Sequence, residues 1–204
     1  MLKQTPLYNT HLAMGSKMVP FAGWEMPLRY TNQIAEHLKT RQGAGLFDIG
    51  HMSLLKFSGK GATDFLQKVS TNNVEKLPAG KVQYSFLLNP AGGVVDDILV
   101  YRLTDHYLVV CNGNNAEKVL SWFMQNKIKQ LKIESLNKKS TIISLQGPLA
   151  ENILQPLVAP FSLAALKAYW ITQVNINRQE LLISRTGYTG EDGFELYVPH
   201  AAAV

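Results

Sequence analysis

The run Val94-Val95-Asp96-Asp97-Ile98-Leu99-Val100-Tyr101 places two adjacent carboxylates inside a strand of β-branched and apolar residues. Successive strand side chains point to opposite faces. Asp97 therefore shares a face with Val95, Leu99 and Tyr101, while Asp96 shares the other with Val94, Ile98 and Val100. Because both faces are otherwise apolar, the pattern predicts a strand covered on both sides. A carboxylate buried there is costly unless it is paired or hydrogen-bonded. The bland alternative is a carboxylate tied to backbone N–H groups in a neighbouring turn, with no chemistry attached.

The surrounding elements predict an α+β fold of antiparallel sheets with packed helices, since helical and strand patterns alternate irregularly along the chain. Val82–Leu88 and Val94–Leu103 flank Asn89-Pro90-Ala91-Gly92-Gly93, whose glycines suit positive φ, so this unit reads as a hairpin. Thr141–Leu145, Ile171–Asn177, Glu180–Ser184 and Phe194–Val198 are further strands. Thr31 is positioned to cap a helix carrying Ile34, Ala35 and Leu38 on one face and stopping near Gly43. A second helix after Gly61 buries Phe65, Leu66 and Val69. A third follows Asn114, with Glu117 in a capping-box position and Leu120, Phe123, Ile128 and Leu131 at helical spacing. Gly147-Pro148 opens a fourth, proline suiting the first turn. The end, His200-Ala201-Ala202-Ala203-Val204, shows no turn, helix or closing strand and reads as a cut within an element.

At 204 residues the chain is long enough to bury a core of its own. Its 46% hydrophobic and 17% charged residues are ordinary for a globular protein. No apolar run reaches the roughly 20 residues of a membrane span, and Met1–Pro6 has neither a signal core nor transit character. A cytoplasmic location is expected. The excess of 20 basic over 15 acidic residues gives +5. The lysines are scattered, with one concentration at Lys127, Lys129, Lys132, Lys138 and Lys139, so a solvated face is expected; an acidic partner or an anionic ligand tail would also suit it. No motif supports nucleic-acid binding. The single cysteine, Cys111, excludes an internal disulfide and sits in an apolar run, as a small core residue does.

Three other segments concentrate aromatic, glycine and charged residues: Phe21–Pro27, Gly45–Met52 and Ser184–Glu195. Each alone reads as a tight loop whose polar groups satisfy its own backbone. Asp48 and His51 resemble a base and its orienting acid, but no nucleophile accompanies them, and a structural role is expected. The glycine-rich loop matches neither the phosphate-loop nor the dinucleotide pattern.

Taken together, Thr5-Pro6-Leu7, Phe21–Pro27, Gly45–Met52, Gln83-Tyr84-Ser85, Gly92–Asp97, Leu145-Gln146-Gly147-Pro148 and Ser184–Glu195 resemble the glycine cleavage T-protein (aminomethyltransferase) family, in that family's order. The resemblance covers essentially the whole chain; it departs where Gly50 stands at a usual serine, and in length. It implies a T-protein-like folate-binding fold without its C-terminal β domain. It also implies a first domain split between 1–52 and 140–204, incomplete at its C-terminus, and an inserted subdomain at 53–139. The implied reaction is tetrahydrofolate-dependent transfer of an aminomethyl carbon from the lipoyl arm of H-protein, giving 5,10-methylenetetrahydrofolate and ammonia, with no metal. By the same matching Asp97 is the catalytic carboxylate, and Tyr84, Asn112, Tyr188 and Glu195 line the folate site. Two alternatives stand beside this: a folate-binding relative acting in assembly or regulation, and an inactive truncated fragment.

Overall fold

The computed structural model describes residues 1–204, which divide into two compact units: Met1–His51 with Lys139–Val204, and Met52–Lys138. In chain order the first unit opens with β1 (Lys3–Gln4), α1 (Tyr8–Ala13), β2 (Lys17–Phe21), β3 (Trp24–Arg29), α2 (Gln33–Gln42) and β4 (Gly45–Asp48). The second unit holds β5 (Ser53–Ser58), α3 (Ala62–Val69), β6 (Val82–Leu88), β7 (Val94–Arg102), β8 (Tyr107–Cys111), α4 (Ala116–Asn126) and β9 (Lys132–Ser135). The chain then returns to the first unit through β10 (Ser140–Gln146), α5 (Ala150–Val158), β11 (Ile171–Ile176), β12 (Gln179–Ser184) and β13 (Gly193–Pro199). The fold is α+β. No helix is long and apolar enough to cross a membrane.

In the second unit a five-stranded antiparallel sheet runs β6-β7-β8-β5-β9. Its core is built from Leu55, Phe57, Ile98, Val100 and Val109 of the sheet with Phe65 and Leu66 of α3 and Val119 and Phe123 of α4. Phe57 meets the edge of Phe123 at 5.0 Å, an orientation the ring quadrupoles favour. The α3 pattern puts Phe65, Leu66 and Val69 against this core, as their spacing predicts. In the β6–β7 hairpin Gly92 takes φ +82°, and the Asn89 carboxamide oxygen accepts from the Ala91 and Gly93 N–H groups. That closes the turn with its own side chain.

The first unit contains a second five-stranded sheet, β11-β12-β13-β10-β4, entirely antiparallel, and a small sheet β1-β3-β2 in which β1 and β3 run parallel. Helix α5 covers one face of the larger sheet, packing Leu154 and Val158 with Leu145, Ile183 and Phe194. Asn177 and Arg178, both at positive φ, form the two-residue β11–β12 turn.

Several local expectations are corrected. Asn32, not Thr31, caps α2, its side chain accepting from Ile34 and Ala35 N–H. Thr31 instead gives its N–H to the Glu36 carboxylate. Ile34 and Leu38 are exposed, so the α2 apolar stripe faces away from this unit's core. No capping box forms at α4: a 3-10 turn at Gly113–Asn115 precedes it, and the helix begins at Ala116. Ile128 and Leu131 fall beyond its end at Asn126, although Leu131 is still buried. Helix α5 starts at Ala150, leaving Pro148 before the first turn. Residues His200–Ala202 form a 3-10 turn rather than a bare end.

Candidate active site

Strand β7 separates its two carboxylates. The Asp96, Ile98 and Val100 side is buried, whereas Val95, Asp97 and Leu99 on the other side are only half-buried. The expected two-sided cover is therefore absent at the Asp97 end. Asp96 is tied down as the bland alternative expects, although only one of its three donors is a backbone N–H. It is 3% exposed and accepts from Asn112 N–H at 3.0 Å, Asn112 Nδ2 at 3.0 Å and Asn115 Nδ2 at 2.5 Å. These charge-assisted bonds are what a buried carboxylate needs.

Asp97 faces the more open side, directly opposite Phe86 in the ladder, with Tyr84 opposite Leu99. The Tyr84 hydroxyl donates to Asp97 Oδ2 at 3.2 Å, and Asn112 Nδ2 donates to Oδ1 at 2.8 Å. Tyr84 and Phe86 pack edge to face at 5.3 Å, and both are exposed. Three of the five residues singled out from the sequence, Asp97, Tyr84 and Asn112, thus meet through side-chain hydrogen bonds. A cleft of about 340 Å³ in this unit, walled by Lys68, Pro90 and Trp122, includes none of them.

Tyr188 and Glu195 belong to the first unit. Tyr188 is exposed in the loop between β12 and β13. Glu195 lies on β13, 2% exposed, and its carboxylate accepts from Thr186 Oγ1 at 2.6 Å; Thr186 also bonds Ser184 at 2.6 Å. The loop is fastened by residues that sequence reasoning did not single out. Arg185 Nε donates to Asp192 Oδ1 at 2.8 Å, while Nη2 reaches Glu151 at 2.8 Å and Asp192 Oδ2. This guanidinium holds the Asp192 carboxyl below the usual carboxylate range. Gln146, 1% exposed, donates to the Thr186 carbonyl at 3.0 Å and accepts from Thr189 Oγ1 at 3.0 Å. A Cβ at Gly187 would lie 2.0 Å from the Gln146 carboxamide oxygen, so glycine there lets the two touch. Only the concentration of glycine and charged residues in this segment hinted at such a clamp.

The remaining candidates are structural. Asp48 pairs with His11, Nε2 to Oδ2 at 2.9 Å, and accepts from Thr5 Oγ1 at 2.5 Å and Gly50 N–H at 2.8 Å. His51 is not its hydrogen-bond partner; the His51 ring meets Phe21 edge-on at 5.4 Å, and its buried Nδ1 has no partner. Burial pushes the His51 imidazole below its ordinary 6.5, against the opposing pull of Asp48. The folded chain therefore takes up this proton less readily than the unfolded one. The neutral ring contributes its full stability above about 6.5, and that contribution is lost as pH falls through the depressed value. Denaturant unfolding at pH 7.5 and pH 5 should show stability falling on acidification, with a shallower fall in His51→Gln; equal slopes would refute the assignment. At Gly50 an added Cβ would lie 2.2 Å from the Thr141 hydroxyl, so a serine would need that threonine to move. Cys111 is buried, and burial, aided by the Asp96 charge, pushes its thiol up to about 12, which removes it as a nucleophile.

Comparison with known proteins identifies the family of the chain. The family model described as GCVT N-terminal domain matches residues 7–204. The aminomethyltransferase of Desulforamulus reducens is 46% identical over 203 residues, covering 99% of this chain and 56% of that protein. The crystal structure of glycine cleavage system aminomethyltransferase T from Bartonella henselae superposes with a TM-score of 0.92 at 35% identity, covering 100% of this chain and 55% of that one. A heterotetrameric sarcosine oxidase from Corynebacterium sp. U-96 shares the fold at a TM-score of 0.63 and 14% identity, over 98% of this chain and 89% of its own. The chain spans about half the length of the curated relatives it matches. On the match over residues 7–204 and the near-complete coverage by aminomethyltransferases, this chain belongs to the GCVT N-terminal domain family.

Proposed function

We propose that the chain serves tetrahydrofolate-dependent aminomethyl transfer, taking the carbon from the lipoyl arm of H-protein and yielding 5,10-methylenetetrahydrofolate and ammonia. The observation that carries this reading is the half-buried Asp97, held on the open side of β7 by Asn112 and the Tyr84 hydroxyl. Tetrahydrofolate supplies the nitrogens that accept the one-carbon unit. A flat, N–H-rich ring suits what the chain offers: exposed Tyr84 and Phe86 rings beside an ionisable acceptor. Asp97 accepts a hydrogen bond or proton from a reacting nitrogen and stabilises positive charge that develops beside it. Asn112 fixes Oδ1, so the carboxylate is presented in one orientation. Tyr188 and Glu195 are proposed as folate contacts on the family match, Glu195 being acceptor-only when ionised.

Calorimetric titration of tetrahydrofolate into the chain and into Asp97→Ala tests the reading. Binding by the parent should weaken about tenfold or more in the variant, the loss expected for a charge-assisted hydrogen bond. Equal affinities would remove Asp97 from the site.

A further inference from the structure

Asp96, buried behind the strand, has no route to a ligand of its own, yet it takes three hydrogen bonds, two of them from the one residue that also touches Asp97. Asn112 follows β8 directly, where Cys111 pairs with Ile98. Its backbone N–H and its Nδ2 both point to the Asp96 carboxylate. The same Nδ2 reaches Asp97 Oδ1 at 2.8 Å and the Asp97 carbonyl at 3.3 Å. An amide nitrogen has two hydrogens, and here the acceptors for both come from the two adjacent aspartates. Asn115, at the start of α4, places its own Nδ2 against Asp96 Oδ1.

We propose that Asp96 and Asn115 are positioning residues: Asn115 holds Asp96, and Asp96 fixes the Asn112 amide that presents Asp97. This rests on the reading of Asp97 as the folate-facing carboxylate. Oriented this way, Asn112 occupies Asp97 Oδ1 and leaves Oδ2, which meets only the Tyr84 hydroxyl among these groups, as the atom that faces substrate. The direction of the Asn112 amide also becomes determinate. With a carboxylate on one side, its nitrogen must face the aspartates, because the carboxamide oxygen would be repelled there. The adjacent carboxylates thus divide their work, one buried to orient and one half-open to act. The placement of Asn115 at the head of α4 couples that orientation to the helix, which explains why the residue spends its side chain on Asp96 instead of capping.

The test needs a readout on Asn112 itself. In nitrogen-edited NMR spectra of the 204-residue chain, the two Asn112 side-chain amide protons should be distinct and slow to exchange with water. In Asn115→Ala and Asp96→Asn they should exchange at least severalfold faster, while the backbone signals of β5 and β9 stay in place. The amide introduced by Asp96→Asn offers one acceptor oxygen to three donors, so it loosens the site more; Asn115→Ala keeps the buried charge and serves if the first variant folds poorly. Unchanged exchange in Asn115→Ala and in whatever folds of Asp96→Asn would overturn the proposal. Tetrahydrofolate titration then separates the two readings. Affinity reduced severalfold in Asn115→Ala and further in Asp97→Ala supports both. Affinity reduced in Asp97→Ala but intact in Asn115→Ala overturns the positioning role alone, and equal affinity in all three overturns the folate reading of Asp97 from which it follows.

Discussion

On the transfer proposed above, Asp97→Asn is expected to lower the tetrahydrofolate-dependent rate by roughly 100-fold or more, the usual contribution of a positioned acid–base or charge-stabilising group. The substitution keeps the side chain's size and one acceptor oxygen, but it removes the charge and the ability to take a proton. In the fold the change is mild. Asp97 is half-buried, its partners are the Tyr84 hydroxyl and the Asn112 amide, and the introduced carboxamide can still accept from one of them. Stability should therefore change by only about 1 kcal/mol, the net worth of one hydrogen bond. The contrast with Asp96 is the point of the experiment. Asp96→Asn leaves buried donors short of acceptors and should be felt in unfolding as well as in turnover. Ammonia release from aminomethyl-loaded H-protein, measured beside thermal unfolding, separates the two. Turnover within twofold of the parent in a normally folded Asp97→Asn protein would end the catalytic assignment.

The division of labour between the two aspartates also shows where sequence reading stops. Period-two alternation correctly put them on opposite faces of β7, and the apolar neighbours correctly signalled that a buried carboxylate there would need partners. Which face is buried depends on where α3 and α4 pack, a tertiary fact that strand periodicity does not contain. Likewise Asn114 and Glu117 have capping-box spacing, but the neighbouring Asn115 is drawn to a carboxylate 19 residues away and the chain makes a 3-10 turn first. The α2 stripe of Ile34 and Leu38 carried a true helical period, yet a stripe says only that a face is apolar, not that this part of the chain covers it. Short-range chemistry was more legible: the β6–β7 hairpin, the burial of Phe65 and Leu66, and Cys111 as a core residue all follow from local pattern. The structural role expected for Asp48 is met by a partner the local sequence does not name, since spacing alone does not fix which side chain it bonds. Asp48 turns to His11, 37 residues earlier.

The second large effect is structural and lies at Gly147. Alanine there is expected to remove about 3 kcal/mol or more, since forbidden backbone and overpacking penalties add. Gly147 sits at φ +128°, a region that residues with a side chain rarely adopt. An added Cβ would lie 2.4 Å from the Gly43 carbonyl oxygen, 2.5 Å from that of Thr40 and 2.8 Å from the Ala44 Cα. All three are backbone atoms, so no rotamer change relieves the contact. Nor can the carbonyl withdraw freely, because Gly43 O accepts the Leu149 N–H at 2.9 Å at the entry to α5. Gly147 N–H in turn donates to the Asp192 carbonyl at 2.8 Å, so a displaced residue 147 pulls on the loop that carries Tyr188. Gly190, in that loop, provides the control: its φ is +77°, but an added Cβ would meet nothing within 4 Å. Its alanine variant should lose only about 1 kcal/mol, the left-handed penalty alone. Since folded domains hold only about 5–15 kcal/mol in total, the gap between the two variants is wide enough to read by denaturant unfolding. Equal midpoints for Gly147→Ala and Gly190→Ala would mean that the α2–α5 junction yields to a methyl group, and that φ rather than close approach requires glycine at 147.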